Sequence, residues 1–160
     1  MRAILIAAAL VLSLAACKGS EEAAANLTAG QAFLTENAAK PGVKALPSGV
    51  QYEVVRSGPP AGPQPKKTDL VKVHYEGKLI SGEVFDSSYE RGAPAAMKLG
   101  SLIPAWVEAL QQMRPGDEWV LYVPPEQGYG ENGAGPIPPN SVLIFRVELV
   151  DVLSSSYRER

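Results

Sequence analysis

The sequence predicts an α+β domain in which four or five antiparallel strands form a curved sheet with one helix packed on it. Two observations lead there: several segments alternate apolar and polar residues with period two, and only one strongly apolar segment has helical spacing, with no strand–helix–strand alternation. A chain of 160 residues suffices for one domain with extras. Apolar residues at 46 % and charged residues at 20 % exclude a disordered chain and a coiled coil, and 15 glycines with 14 prolines point to a loop-rich fold.

The strands come first. After Gly49, Val50, Tyr52 and Val54 alternate with polar neighbours, and beyond a Pro/Gly-rich link at 57–68 the pattern resumes at Val71, Val73 and Tyr75. Ser81-Gly82 is a turn signal between Leu79-Ile80 and Val84-Phe85, which predicts a hairpin. Ile103, Trp106, Val107, Leu110 and Met113 then recur at helical spacing, with Pro104 suited to a first helical position and Pro115-Gly116 ending the run. This is a helix of about ten residues. Trp119, Leu121 and Val123 alternate with Val120 and Tyr122, and the last strand sets Leu143, Phe145, Val147 and Leu149 against Arg146 and Glu148. One face of the sheet is therefore buried. No internal repeat is visible, and residues 154–160 read as a flexible tail.

The N-terminus reads as an address. Met1 and Arg2 form a positive start, and residues 3–16 carry no charge, the length of a signal-peptide core and short for a membrane span. Leu14-Ala15-Ala16-Cys17 resembles the bacterial lipoprotein box, so residues 1–16 are expected to be a signal peptide and Cys17 the acylated residue that anchors the chain. An ordinary signal peptide before a chance cysteine is the alternative. Lys18 after the cysteine, where aspartate would signal inner-membrane retention, favours the outer membrane. Within 17–45, residues 18–26 read as a flexible tether. A capping box of Thr28 and Gln31 then opens a linker helix of about three turns at most, with Phe33 and Leu34 as its sticky face and Pro41-Gly42 as its stop.

Composition excludes several chemistries. One cysteine and one histidine supply neither a zinc site nor a disulfide framework. A Ser/His/Asp triad could use only His74, which lies in an alternating stretch and reads as an exposed strand residue. A net charge of −2 lacks the basic footprint of a nucleic-acid binder.

Residues 124–140 form a long loop rich in glycine and proline that still carries Tyr129 and Ile137, and long loops with their own apolar residues are often functional. Together with Val73-His74-Tyr75-Glu76-Gly77, Val84-Phe85-Asp86-Ser87-Ser88, Ile103-Pro104-Ala105-Trp106, Tyr129-Gly130 and Ile137-Pro138-Pro139-Asn140, the chain closely resembles the FKBP-type peptidyl-prolyl cis/trans isomerases over residues 46–153. It is most similar to their bacterial macrophage infectivity potentiator branch, to whose linker helix residues 32–40 and Leu46-Pro47-Ser48-Gly49 are also similar. Each aromatic alone reads as core; their joint spacing carries the resemblance.

The resemblance implies a sheet of five or six strands wrapped around the helix, with a pocket between them. Trp106 would be its floor, Tyr75, Phe85, Leu102, Ile103 and Phe145 its walls, and Tyr129 and Ile137 its closure from the loop. Asp86 would be a buried or half-buried carboxylate beside Arg91, and the Ile103 amide and Tyr129 hydroxyl would hold ligand carbonyls. Asp86, Tyr129 and Phe85 would serve turnover and the others substrate binding. The chain departs from the family pattern at Ala95, Met97, Leu102 and Ala105, which points to a wider rim and a slightly tighter helix start.

The implied activity is rotation of X-Pro bonds in exported proteins, without cofactor or metal. The implied partners are proline-containing polypeptides of the cell envelope, with macrolide immunosuppressants as inhibitors. A membrane-tethered chaperone or peptide-binding module is the alternative. A monomer is expected, since too few residues precede Pro41 for the long helical domain through which the potentiator relatives dimerise. The expected location is the periplasmic side of a lipid-anchoring membrane. Mass spectrometry of membrane fractions should find diacylglyceryl-cysteine at Cys17 as the mature N-terminus; an unmodified soluble protein beginning elsewhere would contradict it.

Overall fold

The computed structural model describes the backbone of residues 9–153 and the side chains of residues 19–153. The tail expected at 154–160, the first half of the expected signal peptide and the Cys17 side chain lie outside what is described.

The first element corrects the tether. Helix α1 runs unbroken over Ala9–Ala38, 30 residues, where a flexible segment and a short helix were expected. Ala and Glu, both good helix formers, dominate residues 21–25, so local propensity favours continuation. The Thr28 hydroxyl donates to the Ala24 carbonyl at 3.0 Å, one turn back, which makes it a mid-helix residue and not a cap. One stripe of α1 faces the body of the protein: Asn26, Gly30, Phe33, Leu34 and Asn37 are buried or half-buried at three- and four-residue spacing. Gly30 permits this close approach, because a Cβ there would lie 2.7 Å from Val142 Cγ2. Lower down, Asn37 Nδ2 donates to Gln51 Oε1 at 2.9 Å, and Gln51 Nε2 donates to the Leu34 carbonyl at 2.8 Å. Phe33 meets Tyr122 with ring centroids 6.0 Å apart.

Among the described residues seven antiparallel strands follow: β1 (Lys44–Ala45), β2 (Gln51–Arg56), β3 (Leu70–Leu79), β4 (Val84–Ser87), β5 (Ala95–Lys98), β6 (Glu118–Val123) and β7 (Leu143–Leu153). Their order is β1-β2-β6-β7-β3-β4, with β5 pairing the first half of β3 and β4 the second half. The sheet is thus larger than expected by β1 and β5, which are too short to display a period. The longest ladder, β3 with β7, sets Val73 opposite Leu149, Tyr75 opposite Val147 and Gly77 opposite Phe145.

Alternation determines the faces. In β3, Val71, Val73, Tyr75 and Gly77 point inward, and in β7 Leu143, Phe145, Val147 and Leu149 do the same. Against them packs helix α2, Pro104–Leu110, with Ala105, Trp106, Ala109 and Leu110 buried. Its seven residues fall short of the ten expected, yet Met113, just beyond its end, is fully buried too. On the outer face the buried Glu118 carboxylate is held by Arg146 and by Arg56, the latter at 3.5 Å.

Gly77 is the one position in β3 where a side chain would not fit. A Cβ there would stand 2.6 Å from Phe85 Cζ and 2.7 Å from Phe145 Cε1. Gly77→Ala should lower stability by about 1–3 kcal/mol through overpacking, read as a shift in the denaturation midpoint, and an unchanged midpoint would contradict this packing.

Candidate active site

The inward rings of three strands converge on the start of α2. Tyr75 and Trp106 meet edge to face with centroids 5.2 Å apart at 84°, Trp106 and Phe145 at 5.3 Å and 85°, and Phe145 and Phe85 at 5.6 Å and 86°. Perpendicular contacts set the positive edge of one ring against the negative face of the next and keep the rings from collapsing into a flat stack. The result is a concave aromatic surface, roofed on one side by the loop at 124–140. It encloses about 430 Å³, within the range of small-molecule sites.

Nine of the ten residues that sequence reasoning assigned to the pocket line this cavity: Tyr75, Phe85, Asp86, Leu102, Ile103, Trp106, Tyr129, Ile137 and Phe145. Arg91 does not; it stands behind Asp86. Met97, legible in the sequence only as a departure at the rim, lines the cavity as well, and Ser101, Ala134 and Pro136 line it and were missed. Met97 carried a signal, since it stands among the departures from the family pattern that point to the rim. The other three are small residues of turns and carry no pattern of their own.

Polar groups enter at two places. Ile103 precedes α2 with extended backbone, and its carbonyl accepts from Trp106 N at 3.0 Å and Val107 N at 3.1 Å. Its own N–H donates to no protein group among the described residues, which leaves it available to a ligand carbonyl. Tyr129, 40 % exposed, stands at the mouth. The loop that carries it is tightly organised. Ala134 and Ile137 exchange both backbone hydrogen bonds, at 3.0 and 2.9 Å, and Asn140 N donates to the Gly130 carbonyl at 2.9 Å. Gly133, at φ 65°, is required here because a Cβ would fall 2.1 Å from the Ile137 oxygen.

The single carboxylate of the pocket is tied off. Tyr75 Oη donates to Asp86 Oδ2, Arg91 Nη1 donates to Asp86 Oδ1, and Arg91 Nη2 donates to Tyr75 Oη at 2.8 Å, closing a three-membered ring of charge and dipole. The Arg91 guanidinium also lies 5.4 Å from the Tyr75 ring centroid. Partial burial pushes the Asp86 carboxyl up, but the Tyr75 hydroxyl, the Arg91 guanidinium and the Ser87 amide outweigh it and hold the group below the usual carboxylate range. Burial and then the neighbouring Asp86 push the Tyr75 hydroxyl up, so it stays a donor. His74, the next residue along β3, points elsewhere. It stacks on Tyr89 at 4.8 Å, with Nδ1 3.0 Å from the Ser88 hydroxyl.

This geometry meets a matching family model. Residues 62–150 match the model for the FKBP-type peptidyl-prolyl cis-trans isomerase, and residues 6–54 match that for the domain amino terminal to it, so the segment expected to be a tether corresponds to a family element. The chain belongs to the FKBP-type peptidyl-prolyl cis-trans isomerase family. It is 53 % identical over 128 residues to the peptidyl-prolyl cis-trans isomerase Mip of Coxiella burnetii, covering 79 % of this chain and 55 % of that one. It is 44 % identical over 134 residues to the outer membrane protein MIP of Legionella longbeachae, covering 83 % and 57 %. The chain thus spans about half the length of these curated relatives. Among solved structures, FkpA from Escherichia coli superposes with a TM-score of 0.86 at 42 % identity, covering 92 % of this chain and 68 % of that one.

Two substitutions separate the roles of the polar groups. Tyr129→Phe should lower kcat/KM for a proline peptide about two- to tenfold, the span of one ordinary hydrogen bond, and Asp86→Asn about ten- to a hundredfold, the span of a charged one. Wild-type turnover in both folded variants would contradict the assignment. Because Asp86 is depressed in the folded state, the stability it contributes is complete above its ordinary value of 3.8 and is lost as pH falls through the depressed value. The stability gap between wild type and Asp86→Asn should therefore close in acid.

Proposed function

We propose that this chain accelerates cis/trans rotation about X-Pro bonds in polypeptides of the bacterial cell envelope. The observation that carries this is an aromatic cavity whose one carboxylate is already engaged through both oxygens, leaving an apolar surface with a few donors at its edge. Such a surface suits a reaction in which no bond is made or broken.

The planar amide resists rotation with a barrier of about 18–20 kcal/mol because resonance is lost on twisting, and free X-Pro bonds exchange in roughly 10–100 s. At the twisted transition state the carbonyl is less polarised, so a dry apolar site favours it over the planar ground state. Each 1.36 kcal/mol of that preference gives about tenfold in rate. The proline ring would rest on Trp106 between Tyr75, Phe85 and Phe145, with the Ile103 N–H and Tyr129 hydroxyl holding flanking carbonyls in the twisted geometry. Asp86 orients Tyr75 and Arg91 and does not shuttle protons. Leu102 and Ile137 complete the apolar wall.

An envelope location is supported by the small-small-Cys sequence ending at Cys17 and by a relative named as an outer membrane protein. Lipid on Cys17 would hold the domain at the membrane, facing the periplasm. The volume of the cavity and its aromatic walls also suit the hydrophobic ring systems of macrolide inhibitors.

The test is an NMR exchange assay on an Ala-Leu-Pro-Phe peptide across pH 6–8, on wild type and His74→Gln. The expected profile is accelerated and nearly flat in both, since Asp86 stays ionised throughout and His74 lies off the pocket. Absence of acceleration would refute the activity, and a bell-shaped profile would refute rotation without proton transfer.

A further inference from the structure

We propose that α1 is a working part of the active site: through Asn26 and Asn140 it sets the position of the loop that holds Tyr129 and Ile137. Two side-chain amides cross between helix and loop in opposite senses. Asn26 Nδ2 donates to the Pro139 carbonyl at 2.9 Å, and Asn140 Nδ2 donates to the Ala23 carbonyl at 3.1 Å. Ala23 and Asn26 lie three residues apart on α1, hence on one face, and the same face makes the close contact of Gly30 with Val142.

Asn140 is the joint. It is the only non-glycine residue among those described with positive φ, 55°, a conformation that asparagine tolerates better than other side chains. That conformation lets one residue hold two elements. Its backbone N–H binds the carbonyl of Gly130, next to Tyr129, while its side chain reaches α1. Pro139, the acceptor of the Asn26 amide, continues through Pro138 to Ile137, whose oxygen packs against Gly133. Tyr129 and Ile137, two of the four loop residues that line the cavity, are thus connected to the helix through Asn140 and Pro139. Without α1 the loop would keep its internal bonds but lose its anchorage. A loop that spends less time in the competent position lowers apparent substrate affinity by the same fraction.

The activity arm of the test rests on the isomerase reading; the exchange arm does not. In the full chain, Asn26→Ala removes one donor, and Asn140→Gly removes the other while accepting the positive φ. Leu27→Ala, an exposed position of α1, serves as control. Hydrogen exchange is read at the amides of Ala134, Ile137 and Asn140, which are bonded within the loop, and at those of β3 and β7. The expected result is two- to tenfold faster exchange at the three loop amides in Asn26→Ala and Asn140→Gly, the span of ordinary hydrogen bonds. β3 and β7 should be unchanged, kcat/KM should fall through a higher KM, and Leu27→Ala should match wild type. Loop exchange equal to wild type in both variants would overturn the proposal. So would loop exchange rising in step with β3 and β7, which would make the clamp a contribution to global stability. Faster loop exchange with unaltered kcat/KM would overturn it as well, since the clamp would then order the loop without serving turnover. A wild-type chain with no isomerase activity would refute the function and leave the exchange result to decide the clamp.

Discussion

The cavity depends on a place where the sheet has no side chain. At Gly77 the backbone of β3 lies bare, and the rings of Phe85 and Phe145 close over it from the strands on either side. That absence lets Phe145 lean towards Trp106 and Phe85 stand perpendicular to Phe145. A methyl group at the same point would push both rings into the space a substrate needs. Packing near crystalline density transmits such a change, because neighbouring side chains have no slack to absorb it.

A second constraint is electrostatic. An isolated carboxylate facing an apolar cavity would be poorly solvated and would drift towards its protonated form. Arg91 and Tyr75 prevent this by occupying both Asp86 oxygens, so the group stays charged and its charge is largely neutralised locally. The edge of the cavity thereby gains a rigid polar corner, and Tyr75 keeps its ring edge-on to Trp106. The same bonds that fix the carboxylate orient an aromatic wall.

Helix α1 and the loop at 124–140 show how elements distant in sequence share one task. The helix holds β2 and β6 at Gln51 and Tyr122 with one end of its inner stripe and the loop at Pro139 and Asn140 with the other. The family match that includes α1 agrees with a helix that belongs to the domain's architecture.

Strand faces were legible in the sequence because period-two alternation is written into each strand by itself: Val71-Val73-Tyr75 and Leu143-Phe145-Val147-Leu149 declare their buried sides without reference to any neighbour. The same holds for Trp106 and Leu110 on α2. The pocket aromatics were legible only jointly, through ordered motifs, since each ring alone is indistinguishable from core. What stayed hidden depends on contacts through space. β1 and β5 owe their existence to partners and are too short for a period, and α1 buries a stripe of Asn, Gly and Ala with only Phe33 and Leu34 as apolar markers. Small residues and amides give no hydrophobic signal, yet they are what allow a helix to approach closely and to bond backbone carbonyls across the gap. Where α1 would dock, and which carbonyl Asn26 would meet, was therefore decided where Gly30 touches Val142 and Asn140 turns left-handed, in the assembled fold.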